Sequence, residues 1–247
     1  MERQDTSENA GRAAVRVMTW NIHGGVGSDR RCDLRRIARI VQRHKPDILA
    51  LQEVDSRRRK AKPEGAFQFL ARALGGYSAE SKLIVAPDGD YGHVLISRWP
   101  LTDTVYHDIS LSGREPRAAI ETCAETPLGV LHVVAAHLGL SFRERRHQAD
   151  LLAGIVKHGP EHAIMLGDFN DWIWRGSVQK VLGGLFPARS RHKTFPARRP
   201  LFALDRIYCR PSRMLARTWT DPAALHASDH LPVLADLHFA PDAGGAD

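Results

Sequence analysis

Apolar residues in this chain gather into short runs, and most of these runs stop on a polar residue. Val15, Val17 and Thr19 alternate with Arg16 and Met18, the two-residue period of a half-buried strand, so a strand is predicted to end at Trp20 with Asn21 just beyond it. Asp33 is placed to cap a helix whose apolar positions Leu34, Ile37, Ala38 and Val41 recur at three-and-four spacing, and Lys45-Pro46-Asp47 stops it. A short apolar strand over residues 48–51 follows and delivers Gln52 and Glu53 at its end. A second helix is expected over residues 67–74, ended by Gly75-Gly76.

Further strands are predicted near residues 82–85, 93–97, 117–123 and 130–137. In the last of these both alternating sets are apolar, which marks a strand buried on two faces. Ser141 and Glu144 have the spacing of a capping box for a helix running to about His158, with Leu151, Leu152 and Ile155 facing inward. Residues 163–166 form another apolar strand that stops at Gly167-Asp168, and residues 204–208 and 232–239 supply closing strands. Asn21, Glu53, His137, Asp168, Asp205 and Asp229-His230 therefore all fall at strand edges, which are rigid supports for a preorganised site.

The length of 247 residues suits one core, and no repeat or linker divides it, so residues 14–240 read as one domain between tails at 1–13 and 241–247. No apolar run reaches the length of a membrane span, and the polar opening MERQDTSENAGR lacks the apolar core of a secretory signal; a cytoplasmic monomer is the expectation. Three scattered cysteines argue against a disulfide framework and a cysteine-based metal site. A net charge of +7 favours an anionic partner. Taken singly, the basic clusters at Arg57-Arg58-Arg59-Lys60, at Arg143, Arg145 and Arg146, and between Arg189 and Arg199 read as solvated faces.

Candidate chemistry starts with GDFND, where Asp168 and Asn170 at a strand exit can face one crevice, although an ordinary turn has the same composition. Asp205 in LDRIY lies among apolar residues and needs a partner, either Arg206 or the imidazole of His230. His137 differs from His132 because its strand stops two residues later, at Gly139. HExxH is absent, and no histidine spacing typical of zinc occurs. Trp172 and Trp174 could line a substrate wall or pack inside.

Six segments in one order, TWNIH, LQEVD, AAHLGLS, GDFN, LDRIY and SDHLPV, resemble the endonuclease/exonuclease/phosphatase superfamily over residues 15–239. The closer likeness is to small bacterial members with an HLGLS segment before a charged helix. The resemblance implies a DNase I-like α/β fold, a four-layer sandwich of two mostly antiparallel sheets flanked by helices. It implies a metal-dependent phosphoesterase using Mg²⁺, with Mn²⁺ as a substitute. Asn21, Glu53 and Asp229 would hold the metal end, and Asp168 and Asn170 would handle the attacking water and the phosphoryl group. Asp205 would orient His230, and His137 would contact the scissile phosphate. Arg117, with Tyr91 and His93 of YGHV, is expected to meet the substrate. The general base is either Asp168 or the Asp205-His230 pair.

Two positions depart from the relatives. His23 stands where apurinic endonucleases have an aspartate, and His93 where YGNA has asparagine. The first weakens a DNA-repair role. The substrate class stays open among nucleic acid, nucleotide and lipid headgroup, with a DNA nuclease as the main competing activity. An anion-binding relative without turnover is opposed by retention of the whole set, since binding needs charge but not these particular groups.

Overall fold

The computed structural model describes residues 14–57, 64–172 and 176–239. Arg58, Arg59, Lys60, Trp174 and both tails lie outside them. In chain order the elements are β1 (Val15–Asn21), α1 (Leu34–His44), β2 (Ile48–Asp55), α2 (Ala66–Leu74), β3 (Tyr77–Ala86), β4 (Gly89–Ser97), β5 (Leu101–Asp108) and β6 (Ala118–Thr126). There follow β7 (Gly129–His137), α3 (Phe142–Val156), β8 (Ala163–Asp168), α4 (Ser177–Leu182), β9 (Ala188–Arg189), β10 (Asp205–Arg210), β11 (Leu215–Thr220) and β12 (Val233–Leu237).

The strands form two six-stranded sheets, ordered β11-β12-β1-β2-β4-β3 and β5-β6-β7-β8-β10-β9. Each holds one parallel pair, β1 with β2 and β7 with β8, among antiparallel neighbours. Between the sheets, Val15, Val17, Ala50 and Leu95 meet Ile120, Val133, Ala135, Leu166 and Ile207. On the outer face of the first sheet, Met18, Trp20, Leu49 and Val94 pack on Ile37, Phe67 and Leu70 of α1 and α2. Val134, Ala136, Met165 and Tyr208 of the second sheet meet Ala149, Leu152, Val156 and Leu182 of α3 and α4. The result is the expected four-layer α/β sandwich.

Local chemistry sets the helix ends. The Asp33 carboxylate accepts from the Arg36 amide at the start of α1, and Lys45 closes that helix in the left-handed conformation. The Ser141 hydroxyl accepts from the Glu144 amide at the start of α3.

Several expectations need correction. β1 is buried on both faces, because Met18 and Trp20 face the helix layer rather than solvent. β2 does not end at Leu51; its pairing with β4 shifts register between Leu51 and Val54, and the strand resumes to Asp55. In α3 Leu151 points to solvent, and the inward face uses Arg145, Gln148 and Leu152. Arg145 is therefore not part of a solvated face: it is 1% exposed, donates to the Leu140 carbonyl and lies 4.0 Å from Asp171. Two longer strands escape the hydrophobic pattern, β5 and β11, both at sheet edges and mostly half-exposed, where neither face is consistently apolar.

Candidate active site

Parallel pairing brings the chemistry to one end of the sandwich. Asn21 is the last residue of β1 and pairs with Gln52 of β2, while His137 ends β7 opposite Asp168, which ends β8. Asp205 opens the antiparallel β10 opposite the same Asp168. Gly167 allows this closeness, since a Cβ there would meet the Ala136 carbonyl oxygen at 1.8 Å. The SDH segment before β12 is tied to β1 twice, Ser228 Oγ donating to the Asn21 backbone carbonyl at 2.8 Å and Trp20 Nε1 to the His230 carbonyl at 2.8 Å, and is braced internally by the His230 amide donating to Ser228 Oγ.

Three site residues occupy left-handed backbone, which is uncommon for residues with a Cβ: His23 (φ 46°), Glu53 (φ 55°) and Asn170 (φ 49°). Glu53 owes this to the bulge in β2, which turns its side chain across the end of the sheet. The sequence pattern alone ended the strand there.

Asn21 links the two halves of the site. Its side-chain Nδ2 donates to Glu53 Oε1 at 2.8 Å and to Asp168 Oδ2 at 3.0 Å, and its Oδ1 accepts from the His23 amide at 3.0 Å. Burial works against ionisation of Glu53, but the hydrogen bonds from His23 and Asn21 outweigh it and hold the carboxyl at about 2. Asp168 also accepts from the Asn170 amide at 2.9 Å, and Asn170 Nδ2 donates to the Leu138 carbonyl at 2.8 Å.

His230 Nδ1 lies 2.8 Å from Asp205 Oδ2, and its Nε2 lies 3.9 Å from Asp168 Oδ2. Asp205 is fully buried and also accepts from the Thr194 hydroxyl. Burial disfavours the charged imidazole, yet Asp205 and Asp168 raise its pKa to about 10, so His230 is a cation at neutral pH. Burial, and then Asp205, push the Asp168 carboxyl upward.

His137 is the converse case. Burial, reinforced by Arg117, lowers it to about 3, so it is neutral. Arg117 Nη1 lies 3.4 Å from His137 Nδ1, and because a guanidinium only donates, the proton belongs on Nε2, 3.7 Å from Asp168 Oδ2. His93 is 1% exposed and neutral, lowered to about 4 by burial and by Arg117, and neither ring nitrogen has a hydrogen-bond partner. It lies beneath the site rather than on an open wall.

Glu53 and Tyr91 line a cleft of about 370 Å³ with Asp55, Arg57 and Glu115. Burial, then the charges of Glu53 and Glu115, raise the Tyr91 hydroxyl. A second cleft of about 340 Å³ opens beside His23 and Asp229, with Arg30 and Arg198 on its rim. A larger groove of about 1120 Å³, along Val41, Leu74 and Trp99, lies at the opposite end of β2 and β4 and reaches none of these groups. Trp172 is 55% exposed and packs T-shaped with Phe202, so it is not a core residue.

Two observations bear on a metal. The ligand atoms of Asp168, Asp205 and His230 lie within 4.8 Å of one another, a buried group able to hold an ion. At the other end, ionised Glu53 faces His23 Nδ1 at 3.3 Å, and the same nitrogen lies 3.9 Å from Asp229 Oδ2. His23 is the residue that the sequence reading left out of the site. Its only signal was the substitution it represents in TWNIH.

The model of the endonuclease/exonuclease/phosphatase family matches residues 18–230. The chain belongs to this family. The uncharacterized protein YbhP of Escherichia coli K12 is 32% identical over 92% of this chain and 97% of its own length. An endonuclease/exonuclease/phosphatase from Beutenbergia cavernae superposes with a TM-score of 0.71 at 21% identity, covering 93% of this chain and 72% of that one. The human Nocturnin catalytic domain with bound sulfate gives 0.67 at 21% identity over 93% and 96%. TDP2 of D. rerio complexed with a single-strand DNA product gives 0.64 at 17% identity over 92% and 100%. The family is one of nuclease- and phosphatase-type hydrolases that typically use divalent metal ions. Among the described residues no helix is long and apolar enough to cross a membrane.

Proposed function

We propose that this family member hydrolyses a phosphodiester or phosphomonoester by in-line attack of water with the help of Mg²⁺, which Mn²⁺ can replace. The observation that carries the reading is the convergence on Asp168 Oδ2 of Asn21, His137 and His230, with Glu53 held in the same network through Asn21. The donors at the Glu53 end suit a divalent cation, since Glu53 is ionised and partly open to solvent and Asp229 is half-exposed. Glu53 would be the principal ligand, with Asp229 assisting, and Asn21 fixes the carboxylates. When bound, such an ion would supply positive charge that offsets the charge accumulating on the phosphoryl group. The Asp168-Asp205-His230 group suits an ion less well, because His230 Nδ1 is already engaged by Asp205 Oδ2.

Asp168 is the better general base of the two candidates, because His230 is already protonated at neutral pH. Asp168 takes the proton of the attacking water, the water oxygen bonds to phosphorus, and the bond to the leaving oxygen breaks, that oxygen keeping the electron pair and taking a proton from solvent. His137 Nε2–H, His230 Nε2–H and Asn170 donate to the phosphoryl oxygens as charge accumulates there. Arg117 holds His137 in the required tautomer and, with Tyr91, faces the substrate; buried His93 supports this wall from below.

The test is a panel of nitrophenyl phosphate monoester and diester, single- and double-stranded DNA, RNA, nucleotides and phospholipid headgroups, each with Mg²⁺, Mn²⁺ or chelator. Metal-dependent release from at least one class is expected. A panel without turnover under any ion would leave an anion-binding relative as the better account.

A further inference from the structure

We propose that His23 is itself a metal ligand, and that its imidazole tunes the Glu53 end of the site toward first-row transition ions such as Mn²⁺ over Mg²⁺. The inference rests on the reading that a divalent cation works beside Glu53, and it deepens that reading by naming the class of ion.

The placement of His23 comes from the backbone. One residue beyond β1, after Ile22, the chain runs through three left-handed residues, His23, Gly24 and Gly25, with φ of 46°, 62° and 74°. Two of these are glycines, for which the conformation is free of strain, whereas the Cβ of histidine makes it unfavourable there. The turn is locked by the His23 amide on Asn21 Oδ1 and by the Gly25 amide on the Ile22 carbonyl at 2.7 Å. It carries the imidazole across the end of the sheet.

One nitrogen, Nδ1, then faces carboxylates from distant parts of the chain, 3.3 Å from Glu53 Oε2 and 3.9 Å from Asp229 Oδ2. Neighbouring donors on one ion with bonds of about 2.1 Å stand roughly 3 Å apart, so the Glu53–His23 separation suits two ligands of a shared cation. The His23 side chain is 37% exposed, and the cleft beside it gives an ion a path in from solvent. Mg²⁺ is a hard ion that favours oxygen and water, whereas first-row transition ions accept imidazole nitrogen more readily, Mn²⁺ the least strongly among them but still more than Mg²⁺. An aspartate here would keep the donors all oxygen. Histidine makes them mixed.

The experiment uses the full chain stripped of metal, with His23→Asn and His23→Asp; Asn and Asp both tolerate left-handed backbone, so the turn survives. Mn²⁺ and Mg²⁺ affinities are measured by calorimetry, and bound Mn²⁺ is examined by pulsed electron paramagnetic resonance for imidazole ¹⁴N modulation. Wild type should show that modulation, and His23→Asn should lose it. Mn²⁺ affinity should fall by at least about tenfold in His23→Asn and Mg²⁺ affinity by less than about threefold, with His23→Asp binding Mg²⁺ more tightly than His23→Asn. No nitrogen modulation in wild type, modulation persisting in His23→Asn, an unchanged Mn²⁺ to Mg²⁺ ratio, or no Mn²⁺ binding at all each overturns the proposal. Nitrogen-ligated Mn²⁺ in a protein that hydrolyses nothing would sink the hydrolase reading and leave the ligand assignment standing.

Discussion

Replacing Asp205 by asparagine isolates one charge at the centre of the site. Asp205 is fully buried, accepts from Thr194 and lies 2.8 Å from His230 Nδ1. Burial opposes the His230 cation, and Asp205 is the largest of the influences that overcome it, so the rise from the ordinary 6.5 to about 10 depends chiefly on this carboxylate. That rise corresponds to roughly 5 kcal/mol of preference for the charged ring, with Asp168 supplying part. Removing one member of a buried ion pair typically costs about 3–5 kcal/mol, a figure of the same order. Because the folded pKa is raised, this stabilisation is fully present below pH 6.5 and is lost as pH climbs through about 10. Asp205→Asn should therefore destabilise the protein by about 3–5 kcal/mol at neutral pH in urea unfolding, and the penalty should shrink above pH 10. The His230 ring resonances should titrate well below the wild-type value of about 10 in the variant. Activity should fall by about a hundredfold to ten-thousandfold, and Asp205→Asn/His230→Ala should be no worse than the more damaged single variant. A His230 ring that still titrates near 10 in Asp205→Asn would refute the reasoning, since the charge would then owe nothing to its nearest anion.

Other outcomes follow from the same geometry. Glu53→Gln should stay folded by circular dichroism while losing metal-stimulated turnover; full activity there would remove Glu53 from the metal end. With Asp168 as base, activity should rise as pH passes its elevated pKa and fall as His230 deprotonates near 10, and a steady-state pH profile checks both limbs. Trp20→Phe leaves the buried His230 carbonyl without its donor and should cost about 1–3 kcal/mol in chemical denaturation, with kcat falling more than KM rises. Gly167→Ala, whose methyl would collide with the Ala136 carbonyl, should destabilise by more than the usual 0.5–3 kcal/mol for a point change; a melting temperature near wild type would contradict it.

Much of the architecture could be read from the sequence because both sheet centres consist of continuous apolar runs, and a strand such as β7 has no other way to bury Val133 and Val134 together. The edge strands β5 and β11 were not legible, since half-exposed positions carry no alternation. At the site, periodicity placed Asn21, His137, Asp168 and Asp205 at strand ends, and the motif resemblance supplied their grouping. Glu53 was placed at a strand end for the wrong local reason, because a bulge within a strand looks like a stop in one dimension. His23 was left out because its role depends on left-handed backbone, which no spacing rule reports for histidine. Arg145 was misread as surface because its partners, Leu140 and Asp171, meet it only in three dimensions.

The last strand, β12, pairs with the first, β1, and the segment leading into it brings Asp229 and His230 to Asn21. During synthesis, therefore, a ribosome-bound chain carries Glu53, His137 and Asp168 long before it can gather them with the imidazole that completes the network. Prematurely terminated products should consequently be inert rather than weakly active, and competence should arise only once the closing strand has emerged and zipped against the opening one.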